Sequence, residues 1–417
     1  MNRKMQPLLN EFKSIDFIKP QFKRLNKNAT LYFSKTVPNN TSRIELYFDA
    51  GRIRGRTGLA AITGGLLFSG SKNQNAIQIQ KSFDKLGAFK DISVSQEECV
   101  ISIYALNSKL PEVFDVLYRA LNEVVFLQGE LDEFLSHKKQ SFEINSQKVG
   151  FLAGRKFVKE IYNGSVYGKV VEIENIENTS REELMGFHDK YFLNGLLKAT
   201  LVGNVNEDKI DLIAQKLKKW TSKNDCIFEQ GGINNPGVFY EKKENAMQSA
   251  IKIGKKLFNR NDPQFMDFFI LNTVLGGYFG SRLMSNLREE KGYTYGIGSS
   301  VSELHKSGLF IVSTEVGKEY LDDSIVQIKK EFDLLCTDLI SLEELELVKN
   351  YLQGQLLKSA DGAYAMMSLY VSLQKHGLTF DFYTKYVERL FSINPVNLRD
   401  SAQQHLLWDQ MTVVYSG

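Results

Sequence analysis

Residues 275–296 read LGGYFGSRLMSNLREEKGYTYG. A glycine-rich turn at Gly276, Gly277 and Gly280 runs into a stretch that predicts a helix over Ser281–Glu290. Gly292 follows its end, and the residues after it predict a strand over Tyr293–Ser299. A turn near Glu303–Ser307, a strand over Leu309–Glu315 and an amphipathic helix over Tyr320–Leu335 complete the unit. The same order occurs earlier, between Ala76 and Val124: helix, glycine, strand, polar turn, strand, helix. There the alternating strands are Asp91–Ser95 and Cys99–Ala105, joined by Gln96-Glu97-Glu98.

A second repeat supports the first. Ser180–Gly203 and Asn394–Gly417 both open with helix-start chemistry. Ser180 with Glu183 makes a capping box, and Asn394-Pro395 places an N-cap before a first-turn proline. Each then closes on a short β-rich segment ending in glycine. The chain therefore reads as two similar halves of α+β class, each a largely antiparallel sheet covered by helices on one face. The expected domains are residues 1–221 and 237–417, with 222–236 as a polar linker around Gly231-Gly232 and Asn234-Asn235-Pro236. Helix Leu131–Ser146 belongs to the first half.

Composition excludes several classes. The formal net charge of the 417 residues is +3, with both signs interspersed, so no basic stripe points to nucleic acid. No apolar run approaches the roughly 20 residues needed to cross a bilayer. The N-terminal Met-Asn-Arg-Lys-Met-Gln-Pro carries no secretory h-region. Cys99, Cys226 and Cys336 form no C-x-x-C, which predicts small buried apolar residues in a reducing compartment, and the expected location is cytoplasmic.

The set formed by residues 275–296, Gln248 before a strand, Tyr162, Tyr167-Gly168 and the two terminal strands resembles the insulinase/pitrilysin-type (inverzincin) zinc metallopeptidases, a group that includes the mitochondrial processing peptidase. The resemblance spans about residues 30–417 at the scale of domain-sized segments. Active members carry H-x-x-E-H on a first-half helix. Two histidines four apart share one helical face and one zinc ion, and the glutamate between them polarises water. The matching stretch here is residues 58–71, GLAAITGGLLFSGS. Ala61 and Gly65 stand where the histidines would be, and Gly64 where the glutamate would be. A third ligand would fall near Ser141–Glu143. No metal site is expected in this chain, and none of His137, His188, His305, His376 and His405 has a nearby histidine to make a ligand pair. The Gly64-Gly65 pair reads equally as room for close packing or as drift after loss of catalysis.

The resemblance further implies a substrate-binding pair, Arg288 and Tyr295, with the glycines Gly276 and Gly277 facing a peptide. An arginine fork and a phenol aimed at a scissile carbonyl would hold the peptide and stabilise an oxyanion. From spacing alone, Arg288 reads as pairing with a neighbouring glutamate and Tyr295 as core. The expectation is a non-catalytic subunit whose partner, of similar length, carries the zinc and acts with it on a peptide. The alternative is a stand-alone inactive scaffold or peptide-binding homodimer. No Ser/His/Asp or Cys/His grouping supports an unrelated chemistry.

Overall fold

The computed structural model describes residues 14–35, 40–221 and 226–417. The N-terminal reading at Met1–Pro7 and four positions of the expected linker, 222–225, lie outside the described residues.

Eleven strands among the described residues form two sheets. The first holds β1 (Gln21–Arg24), β2 (Thr30–Ser34), β3 (Thr41–Phe48), β4 (Phe89–Val94), β5 (Cys99–Leu106) and β6 (Leu196–Val202), in the order β1-β2-β6-β3-β5-β4. The second holds β7 (Gly237–Glu241), β8 (Gln248–Leu257), β9 (Ile297–Glu303), β10 (Gly308–Gly317) and β11 (Thr412–Ser416), in the order β7-β11-β8-β10-β9. The two orders superimpose once β1 is set aside. In each half the last strand inserts parallel to the first and antiparallel to the second: β6 beside β2 and β3, β11 beside β7 and β8. The terminal β-rich segments seen in the sequence are these inserting strands. Both helix-start boxes are present, at Ser180/Glu183 and at Asn394/Asn397.

Alternation along the strands decides how the sheets are covered. Ile251, Ile253 and Val413 join the core beneath the second half's own helices, including Leu321–Thr337 and Pro395–His405. Their neighbours Ala250 and Val414 point the other way, onto Ala153, Phe157 and Ile161 of the first-half helix Val149–Ile161. The first sheet receives the same treatment. Val202, Tyr32 and Tyr47, on the face away from its main core, pack on Met367 and Val371 of the second-half helix Gly362–Gln374. Each half thus covers one face of its sheet itself and lends a helix to the other half's opposite face. The expectation of helices on one face holds within each half, and the exchanged helices complete the second face.

The seam is sealed by polar groups. The Ser95–Glu98 turn of the β4–β5 hairpin meets the Leu304–Ser307 turn of the β9–β10 hairpin. Glu97, 1% exposed, accepts from the His305 backbone N–H at 3.0 Å and lies 2.9 Å from His305 Nδ1. Lys375 Nζ stands 2.6 Å away, and the Tyr167 hydroxyl donates at 2.8 Å. Beside it, Glu303 accepts from the fork of Arg260, and His376 Nε2 lies 3.5 Å from the same carboxylate. The stretch after residue 225 is tied down too. Phe228 stacks on His305 at 3.6 Å, Asn235 donates to Glu160, and Lys256 reaches the carbonyls of Gly231 and Gly232.

Burial pushes the Glu97 carboxyl up, but the hydrogen bonds and charges of His305 and Lys375 outweigh it and hold it down at about 2. Burial lowers His376 to about 4. The unfolded chain binds protons at both groups before the folded chain does, so stability falls with pH. The His376 contribution disappears between about pH 6.5 and 4, and that of Glu97 between about pH 4.5 and 2. Glu97→Gln leaves Lys375 facing an uncharged amide at the buried seam and is expected to cost about 3 kcal/mol. Thermal unfolding of both proteins from pH 7 to 3 checks this: the variant should melt lower at pH 7, and the gap between the two should narrow below about pH 4.5, where the native Glu97 loses its advantage.

Candidate functional site

Two places correspond to the residues singled out by sequence. The first is the helix Leu59–Leu66, which starts after Gly58 at φ 89°. It lies across the helix Gln128–Asn145. A Cβ built on Gly64 would stand 2.7 Å from Val94 Cγ2, and one on Gly65 would stand 2.5 Å from Phe134 Cζ. The glycines therefore allow close packing, against side chains rather than against another backbone. The Phe134 ring fills the space that a side chain at position 65 would need.

The residues here do not fit zinc. Ala61, Gly64 and Gly65 offer no lone pair, and no group of three His, Cys, Asp or Glu among the described residues could hold a metal ion. Of the expected third-ligand stretch, Ser141 lines the cavity beside Ala61, whereas Glu143 is exposed and stands off it. The histidines are accounted for elsewhere. His137 is exposed near Glu133, and His305 and His376 belong to the seam. His188 is buried between Phe126 and Phe192, and His405 packs edge-on to Phe258 and Phe268. Gly65→His is accordingly expected to lower stability by about 1–3 kcal/mol through overpacking against Phe134, and to recruit no zinc. Thermal unfolding and metal analysis of the purified variant read the two outcomes. A stoichiometric zinc signal would overturn the fit argument.

The second place is built by the quoted segment. Residues 284–290 form a wide π-type turn, Met284–Glu290, continuing from Arg282. Beyond Gly292, at φ 67°, the chain does not enter a strand at Tyr293 as expected: β9 begins at Ile297. The cause is side-chain competition for the backbone. Thr294 Oγ1 accepts from the Gly296 N–H at 3.1 Å and donates to the Glu315 carbonyl at 2.7 Å, while Thr314 bonds to Thr294. Residues 292–296 are thereby held as a loop.

That loop separates two tyrosines. Tyr293 stacks on Tyr320 at 4.4 Å and donates to Asp323 at 2.8 Å. Tyr295 is 93% exposed. Arg288 lies between Tyr295 and Phe279, its guanidinium 5.4 Å and 4.6 Å from the two ring centroids. Among the described residues it makes one ion pair, to the adjacent Glu289 at 3.7 Å, as the spacing suggested but too loose for a bidentate pair. The reading of Tyr295 as core does not hold. Phe279, itself 66% exposed, was not singled out by sequence, although its place in Tyr-Phe-Gly at the tip of the glycine turn marks it.

An open cleft of about 720 Å³ runs beside the loop, lined by Tyr295, Gln248, Lys252, Thr314 and Glu315. Burial lowers the Lys252 ammonium, with Glu315 opposing. Gly276 and Gly277 stand back from this lining. Gly276 is buried where a Cβ would lie 2.6 Å from Ser299 N, so it seats the turn against β9.

Residues 31–161 match the family model described as insulinase (peptidase family M16), and residues 178–352 match that of the peptidase M16 inactive domain. Similar curated proteins include the uncharacterized zinc protease YmxG of Bacillus subtilis (strain 168), 23% identical over 313 residues that cover 73% of this chain and 74% of that protein. An uncharacterized zinc protease of Rickettsia felis is 23% identical over 303 residues, covering 71% and 72%. Among solved structures, a peptidase M16 inactive domain from Pseudomonas fluorescens superimposes with a TM-score of 0.87 at 21% identity, over 96% of this chain and 98% of that one. A protease from Helicobacter pylori gives 0.83 at 15% identity, over 96% and 99%. At these identities the structural likeness speaks for the fold.

Proposed function

The chain belongs to the M16 insulinase family, and from that premise we propose that it is the non-catalytic subunit of a heterodimeric zinc metallopeptidase. The observation that carries the reading is the contrast between the two places. The helix at Ala61 carries no metal donors and packs on Phe134 at Gly65, while Tyr295 stands exposed with the half-buried Arg288 beside it. An exposed tyrosine, and a guanidinium held by two rings and only one loose ion pair to Glu289, leave donors free for a ligand.

In this reading the zinc, and the hydrolytic water it activates, belong to the partner. This chain's own residues hold the peptide. Arg288 donates from a fork whose plane is fixed by Phe279, and the Tyr295 hydroxyl donates from the loop beside it. Both would aim at the scissile carbonyl, where donors gain most as charge develops on oxygen. Gly276 and Gly277 serve the same substrate site by seating the turn that carries Phe279. Residues 1–221 and 237–417 act as the two domains of the subunit, joined by 222–236. Three free cysteines support a reducing, cytoplasmic location.

The test is reconstitution. Affinity purification of the tagged chain should recover a chain of similar length bearing H-x-x-E-H and zinc, and the pair should cleave peptides that neither cleaves alone. Arg288→Ala in the reconstituted enzyme is expected to lower kcat by about 10²–10³-fold, and Tyr295→Phe by somewhat less. Unchanged turnover in both would remove the donor role. Recovery of this chain alone, as a homodimer or monomer, would favour a self-contained scaffold or peptide-binding protein.

A further inference from the structure

The dismantled metal helix borders a second cavity, of about 680 Å³, with Ala61 in its wall. Its charges are one-sided. Arg52, Lys138, Arg155 and Lys169 line it, and no Asp or Glu does. Arg155 is engaged, with Glu172 and the Val171 carbonyl, and its guanidinium lies over the rings of Phe142 and Phe151. The other three have no carboxylate partner among the described residues. Lys138 is the telling one. Its ammonium lies 5.2 Å from the centroid of Phe134, the ring packed against Gly65. A cation thus stands beside the place where family members bind one, in a wall stripped of metal donors. Of the nearest rim carboxylates, Glu172 is shared by Arg155 and Lys159, and Glu315 abuts Gly150 at the junction with the cleft, which leaves Arg52, Lys138 and Lys169 without an acid beside them among the described residues.

The rest of the wall is suited to a chain rather than to a bare ion. Phe142 and Phe151 meet edge to face at 5.8 Å, Val158 and Val171 extend the apolar floor, and Gln96 and Asn145 supply neutral hydrogen-bonding groups. Glu315 lines the Tyr295 cleft and abuts Gly150 of this cavity, so the two hollows adjoin.

We infer that the cavity at the lost metal site is an anion-binding site that takes the carboxylates of an acidic peptide. Unpaired cations over a partly apolar floor lower the energy of a carboxylate brought out of bulk water, and the adjoining cleft lets the same peptide run on toward Tyr295. The inference rests on the proposed peptide-handling role for its ligand class. Its test needs neither the partner nor turnover, so the two can fail separately.

The probe is a fluorescein-labelled hexapeptide of alternating Glu and Leu, set against its Gln-for-Glu counterpart, with the full chain and anisotropy as the readout. The Glu peptide should bind at least tenfold more tightly at about 50 mM salt, and the preference should shrink at about 0.5 M, where screening shortens the reach of surface charges. Lys138→Glu with Lys169→Glu should abolish the preference, and Arg52→Gln should reduce it. All three side chains are solvent-exposed, so an unchanged melting temperature will show that the fold is intact. Retention of binding on amidating the C-terminus assigns the site to side-chain carboxylates and supports the inference; loss assigns it to the terminal carboxylate alone and overturns it. Equal binding of the Glu and Gln peptides, or indifference to charge reversal, would overturn it. So would displacement of the peptide by an equal concentration of inorganic phosphate.

Discussion

Glu97 is a carboxylate almost without water, and every group that satisfies it comes from a different stretch of chain. Tyr167 approaches from the first half, His305 and Lys375 from the second. A buried charge in this state is tolerable only when its partners are all in place. The contact therefore does more than join two hairpin turns. It sets the spacing of the two hairpins, and so of the sheets whose β8 and β11 receive Val149–Ile161 and whose β2, β3 and β6 receive Gly362–Gln374. Apolar burial supplies the attraction between halves, and the carboxylate cluster sets the register in which they meet.

With that register set, the two candidate sites have fixed neighbours. The helix Val149–Ile161 leaves the first half at the wall of the cationic cavity and brings Gly150 up to Glu315 at the cleft beside Tyr295. The surface between the two places is thus continuous and made by both halves. One end is lined by cations, and the other displays an arginine held between rings. Packing makes room for the cation. Phe134 occupies the volume beside Gly65, and Lys138 can lie over the same ring with its ammonium still reaching water.

Much of this architecture is legible in local sequence. Capping boxes, alternating strands and the repeated helix–hairpin–helix order are short-range signals, and they locate the halves and the inserting strands. The exchanged helices are not legible that way. Val149–Ile161 shows an ordinary amphipathic pattern, and nothing in it says whose sheet it covers. Tyr-Thr-Tyr favours extended backbone, which is why the sequence predicts a strand from Tyr293 where the structure has a loop to Gly296. Thr294 overrides that preference with bonds to Gly296 and Glu315 that depend on β10 being alongside. Glu97 looked like a turn residue for the same reason: its partners are more than 60 residues away along the chain.

The exchanged helices also order events at the ribosome. The first sheet is complete once β6 has emerged, yet Tyr32, Tyr47 and Val202 then face solvent until Gly362–Gln374 is made. During that interval the nascent chain carries a half-dressed sheet, a species prone to stick to its neighbours. Docking waits for Gly362–Gln374 to leave the exit tunnel, so this one helix acts as the closing step for a sheet laid down more than 150 residues before it.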